Sequence, residues 1–85
     1  MSNKTSPYLL GSDLGTSSCK SIVVDSQGTI CGWATEDYPT HHPMPGWAEQ
    51  APQDWFNAFC NTVQKAIQDS KISPSEIAML CIVGI

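Results

Sequence analysis

The sequence predicts a small mixed α/β unit with the element order β-β-β-α-β, and three observations carry that expectation. Residues 8–12, 20–25 and 29–36 are short β-rich runs separated by turn residues. Trp55, Phe59, Val63 and Ile67 then recur at every fourth position, the period of one helix face. Residues 78–85 are apolar without a break.

Taken in order, Tyr8, Leu9 and Leu10 open a strand apolar enough to be buried. The β-branched run Ile22, Val23 and Val24 supplies a second. Asp25-Ser26-Gln27-Gly28 carries the residues a hairpin turn needs, so the third strand returns antiparallel. Three consecutive strands make a meander, and residues 13–18 become its first turn with Asp13 at the mouth. Pro39, Pro43, Pro45 and Gly46 exclude regular structure from residues 37–50, and a loop of that length points to function.

Pro52 suits the first turn of a helix and Asp54 its positive end. The stripe that follows, over roughly 18 residues, has Phe56, Cys60 and Ala66 beside it. It is expected to pack on the sheet, which makes Trp55 a core residue. Lys71 and Ile72 end the helix, and Ser73-Pro74-Ser75-Glu76 has the arrangement of a capping box on a single turn. The closing run, apolar on both faces, is predicted to be a central strand parallel to the first. Ligands of such sheets lie off the strand ends.

Four basic against eight acidic residues give a formal charge of −4. Nucleic acid asks for clustered Lys and Arg, and an anionic membrane for a basic patch. No apolar stretch approaches the ~20 residues of a membrane span, and residues 1–7 lack the apolar core of a signal peptide. A cytoplasmic protein without nucleic-acid or membrane partners is expected. Cys19, Cys31, Cys60 and Cys81 contain no Cys-x-x-Cys pair, which argues against zinc. In a reducing compartment they stay thiols, with Cys60 and Cys81 predicted to be buried. His41 and His42, adjacent in a Pro-rich loop, diverge and read as solvated loop residues. The 85 residues form at most one small domain, burying only about 60–65% of the surface of the unfolded chain. The apolar run at 78–85 has no turn or polar cap after it, so the chain is expected to be an N-terminal piece of a longer protein, incomplete and without its second domain.

One stretch reads as chemistry: Asp13-Leu14-Gly15-Thr16-Ser17-Ser18-Cys19-Lys20. A carboxylate at a strand tip can hold a hydrated Mg²⁺. Gly15 permits a tight turn, so the N–H groups and hydroxyls of Thr16, Ser17 and Ser18 can converge on phosphate oxygens, with Lys20 as counter-charge. The implied ligand is a nucleotide polyphosphate. The same residues also fit an ordinary hairpin turn. No Gly-Lys-Thr/Ser closes a Walker loop, no Gly-x-Gly-x-x-Gly opens a helix, and the Asp-Thr/Ser-Gly order of aspartic proteases is absent. What remains, Asp-x-Gly-Thr, is similar to the phosphate hairpin of actin-like ATPases.

A second motif, Pro45-Gly46-Trp47-Ala48-Glu49-Gln50-Ala51-Pro52 followed by Trp55, opens the helix. In register with the hairpin it resembles the FGGY family of carbohydrate kinases, from residue 8 to residue 85. Within that family Glu49-Gln50 and the closing Ile82-Val83-Gly84-Ile85 are most similar to xylulokinases, with gluconokinases, ribulokinases and glycerol kinases as near relatives. The resemblance implies a ribonuclease-H-like, actin-like ATPase fold, of which these residues are the N-terminal β-β-β-α-β portion. It implies ATP and Mg²⁺ as cofactors and transfer of the γ-phosphoryl group to a sugar hydroxyl. D-Xylulose or a related ketopentose is the expected acceptor; gluconate, ribulose and glycerol are the alternatives.

By the same resemblance Asp13 takes the place of the family's Mg²⁺-associated carboxylate. Gly15, Thr16, Ser17, Ser18 and Lys20 fall where the family contacts the ATP phosphates. Trp47 and Glu49 lie on the sugar side of the cleft or, equally, pin the loop onto the helix. The general-base Asp and the adenosine-binding domain are expected downstream, so the 85-residue piece alone is expected to be inactive, and its parent to be able to form a homodimer. Ala51 stands where relatives usually carry Asp or Asn, which weakens the helix cap. Two other readings compete. One is a non-catalytic remnant or module that pairs through its sheet edges. The other is a different actin-like ATPase, which has no reason to carry Pro-Gly-Trp-x-Glu-Gln.

Overall fold

A computed structural model of the chain describes residues 7–39 and 51–84. Strands β1 (Tyr8–Leu14), β2 (Ser18–Val24) and β3 (Ile30–Asp37) form the meander. Helix α1 (Pro52–Ser70), a single 3-10 turn (Pro74–Glu76) and strand β4 (Ile77–Gly84) follow. The sheet order is β3-β2-β1-β4, antiparallel within the meander and parallel between β1 and β4. The predicted element order holds throughout. The first turn is shorter than expected, because β1 runs on through Leu14 and places Asp13 inside the strand, opposite Lys20.

Strand alternation divides the sheet. Leu10 and Ser12 of β1 and Cys19, Ser21 and Val23 of β2 are buried under α1, while Leu9, Asp13 and Lys20 are exposed on the other face. One core cluster joins Leu10, Val23 and Ala66; a second joins Cys19, Tyr38 and Ala58. The buried line of the helix is Ala58, Thr62 and Ala66. The predicted stripe of Trp55, Phe59, Val63 and Ile67 straddles it, each residue partly buried. Small side chains occupy the contact line because they let the backbones approach, and the large ones splay to either side. Phe56 falls off this face and is exposed.

Closest approach is at Gly32 of β3, where a Cβ would stand 2.5 Å from the backbone nitrogen of Ser70 and 2.7 Å from the carbonyl oxygen of Ala66. The edge of α1 also straps β3. The Trp33 N–H donates to Asp69 Oδ2 at 3.1 Å, and the Asn61 amide donates to Glu36 Oε2 at 3.1 Å.

The local signals resolve as they read. Asp25 Oδ1 accepts the N–H groups of Gln27 and Thr29, both at 2.9 Å, and Gly28 adopts φ 85° to close that turn. Ala51 at the N-cap offers no side-chain hydrogen bond. Ser73 and Glu76 complete the capping box, the Ser73 N–H donating to Glu76 Oε2 at 2.8 Å. Lys71 ends α1 in the left-handed region, φ 62°. Among the described residues no helix is long and apolar enough to cross a membrane.

Two expectations are corrected. Among the described residues β4 is an edge strand rather than a central one, and its residues 78–84 are all exposed. The cause is the placement of α1, which lies over β3 and β2 and reaches β1 only at its margin. For the same reason Cys81 is exposed; Cys60, on α1 but off its buried line of Ala58, Thr62 and Ala66, is only half-buried, and the fully buried thiol is Cys19.

Candidate functional site: the hairpin between β1 and β2

Leu14 and Cys19 are the last cross-strand pair, and the Gly15 N–H donates to the Ser18 carbonyl at 2.9 Å to close the turn. Gly15 does not take a left-handed conformation; what calls for glycine is proximity, since a Cβ would lie 3.2 Å from the Ser18 carbonyl oxygen. Its amide is engaged within the turn, and Thr16 and Ser17 form the exposed tip. The Ser17 carbonyl accepts the Tyr38 N–H at 2.9 Å, which ties the tip to the end of β3.

Asp13 and Lys20 face each other across the two strands, both exposed on the sheet face away from α1. The Lys20 ammonium stands 5.1 Å from the centroid of the Trp33 ring, a cation–π contact that holds the cation over the sheet. An open depression of about 320 Å³ lies on this face, lined among others by Gly11, Asp13, Lys20, Ile22, Cys81 and Val83. It presents one carboxylate and one ammonium against apolar walls.

Behind the hairpin lies a polar cluster that sequence reasoning missed. Ser12, Ser21 and Thr62 are buried. Ser12 Oγ and Ser21 Oγ are 2.7 Å apart, Ser21 Oγ and Thr62 Oγ1 2.9 Å, and Cys19 Sγ and Thr62 Oγ1 3.4 Å. The available signal was positional: Ser12 and Ser21 occupy strand positions whose alternation points away from Asp13 and Lys20, and Thr62 continues the helical spacing of Ala58 and Ala66.

Tyr38 is also buried, at 6% exposure, with its ring 6.3 Å from that of Trp55. Among the described residues its hydroxyl has no hydrogen-bond partner. Burial pushes the phenol above its ordinary value of 10.0, with Cys19 and Asp13 adding to the rise. Asp13, Gly15, Thr16, Ser17, Ser18 and Lys20 therefore gather at one end of the sheet, while Trp47 and Glu49, with His41 and His42, lie outside the described residues.

A meander whose first turn is flanked by this Asp/Lys pair, with a parallel strand returning beside β1, is the N-terminal portion of an actin-like ATPase fold. Residues 8–85 match the FGGY family of carbohydrate kinases, N-terminal domain, and the chain belongs to that family. It is 40% identical over 73 residues to a glycerol kinase of Ralstonia pickettii, covering 86% of this chain and 15% of that protein. In structure it is similar to a gluconate kinase from Lactobacillus acidophilus, with a TM-score of 0.78 and 26% identity over 93% of this chain and 15% of the other. A xylulose kinase from Rhodospirillum rubrum gives a TM-score of 0.74 and 25% identity over 92% of this chain and 16% of the other. The chain thus spans about 15% of the length of the curated relatives it matches.

Proposed function

We propose that these residues form the phosphate-binding half-site of an ATP-dependent kinase that phosphorylates a hydroxyl of a small polyol or sugar. The observation that carries this is the Asp13/Lys20 cross-strand pair, exposed together at a turn whose tip is Thr16 and Ser17. In this reading Lys20, Thr16, Ser17 and Ser18 bind the polyphosphate, and Asp13 orients a hydrated Mg²⁺. The donor set suits that ion, which keeps most of its waters and needs one or two carboxylates. Among the described residues no group of three ligating side chains offers a closed metal cage instead. Bound Mg²⁺ supplies charge neutralisation on the polyphosphate, and positioning with charge compensation is most of what phosphoryl transfer asks of a protein.

Glycerol is the favoured acceptor, supported by the identity to glycerol kinases over most of this chain. D-Xylulose is the second reading, favoured by the Glu49-Gln50 pair and by the structural likeness to xylulose kinase. The natural polypeptide that carries these residues, given ATP, Mg²⁺ and separately glycerol, D-xylulose, D-ribulose or gluconate, is expected to release ADP with one of them. No turnover across the panel would overturn the proposal.

A further inference from the structure

The buried hydroxyl cluster behind the hairpin has no part in the roles assigned so far, and its proton directions are fixed by counting. A hydroxyl has one proton to donate and two lone pairs to accept with. Thr62 Oγ1 donates to the Phe59 carbonyl at 3.1 Å. It must then accept from both Ser21 Oγ and Cys19 Sγ, and Ser21, its own proton spent, accepts from Ser12. One relay runs from β1 through β2 to the backbone of α1, and Thr62 is the member on which both β2 donors converge.

Its place in the chain matters. Ser12 and Ser21 form the cross-strand pair directly beside Asp13 and Lys20, and Cys19 and Ser21 flank Lys20. Alternation sends these three side chains under α1 and sends Asp13 and Lys20 to the opposite face. We infer that Thr62 is a positioning residue for phosphoryl transfer: its hydroxyl holds, from behind, the strand pair from which Asp13 and Lys20 reach the phosphates. This rests on the kinase reading above. The apolar alternation sets the register of the strands, and a satisfied buried polar network adds rigidity to that placement; a misplacement of about 1 Å at a reacting centre costs on the order of 100-fold in rate.

The test uses Thr62→Val, which keeps the shape and removes the hydroxyl, and Thr62→Ser, which restores it, in the natural polypeptide. Thr62→Val is expected to lower kcat roughly 10- to 100-fold and raise the Mg²⁺ concentration at half-saturation, leaving the KM for the acceptor unchanged. In protein free of metal and nucleotide it should speed amide hydrogen exchange at residues 13–21. Thr62→Ser should return all three to wild type. Unchanged kcat, Mg²⁺ dependence and exchange in Thr62→Val, or equal losses in both variants, overturn the inference. Where Thr62→Val does not fold, Ser12→Ala, which leaves the α1 contact intact, decides. It should show the same Mg²⁺ shift with a smaller fall in kcat, and wild-type values overturn the inference. A wild type that phosphorylates no acceptor overturns the kinase reading and this inference with it; an active wild type with a silent Thr62→Val overturns the inference alone.

Discussion

Under α1 the strands are closed by Ala58, Thr62, Ala66 and the bare backbone of Gly32, with the buried hydroxyls of Ser12 and Ser21 satisfied among themselves. The opposite face of the same strands leaves Leu9, Trp33, Met79 and Val83 exposed around Asp13 and Lys20. Residues that alternate along β1 and β2 are thus divided between holding the fold and presenting charge. The lesson is one of separability. A change on the open face should reach chemistry without reaching stability, and a change on the covered face should reach stability first, touching chemistry only where, as at Thr62, it shifts the strand pair that carries Asp13 and Lys20.

Asp13→Ala is the largest expected break. The carboxylate is exposed and outside both core clusters, so the thermal midpoint should stay where it is. With the proposed metal-orienting group gone, kcat in the natural polypeptide should fall on the order of 100- to 1,000-fold. Paired turnover and melting measurements check this. A normal rate would remove Asp13 from the site, and a large drop in midpoint would show that the two faces are not separable there.

Gly32→Ala attacks the covered face. A methyl group at this position meets backbone atoms of Ala66 and Ser70, which cannot rotate away as a side chain can. The C-terminal end of α1 must therefore lift off β3, at a cost of about 1–3 kcal/mol, the range of overpacked cores. Urea unfolding should show a lower midpoint at unchanged slope. A neutral result would mean that the helix sits further from the sheet than 2.5 Å from such a Cβ to the Ser70 nitrogen allows.

How much of this was legible beforehand follows from where the physics is local. Asp25 with Gly28, Ser73 with Glu76, and Pro52 each announce an element through groups within four residues of one another, and each stands where its signal put it. The Asp13 to Lys20 segment was legible for the same reason, as one turn between two strands. The helix stripe was half legible: period reveals a face, but which line of that face touches the sheet depends on how closely the backbones pack, and Gly32 sets that distance from the far side of the chain. Thr62 was illegible because a lone threonine among apolar residues acquires meaning only when Ser21, more than forty positions away, is brought to 2.9 Å. The exposure of Cys81 and of β4 was misread because an apolar run states what a strand could bury, not what covers it.

Tyr38 sits at the seam of the two faces, its ring in the covered cluster and its backbone N–H on the hairpin tip. With its hydroxyl buried and unpartnered among the described residues, Tyr38→Phe should remove a desolvation cost and stabilise the fold by about 1 kcal/mol at neutral pH. The sign of the pH dependence follows from the raised phenol. Below an unfolded value near 10.0 both states are protonated and the stability is fully present. As pH rises past that point the unfolded phenol ionises first, and stability drains until the folded group ionises too. Phenylalanine has no such loss, so the advantage of Tyr38→Phe over wild type should widen above pH 10.0 in paired urea titrations. A less stable Tyr38→Phe would mean that the hydroxyl contributes a bond at the seam, and that the covered face and the hairpin are joined through a side chain as well as through the backbone.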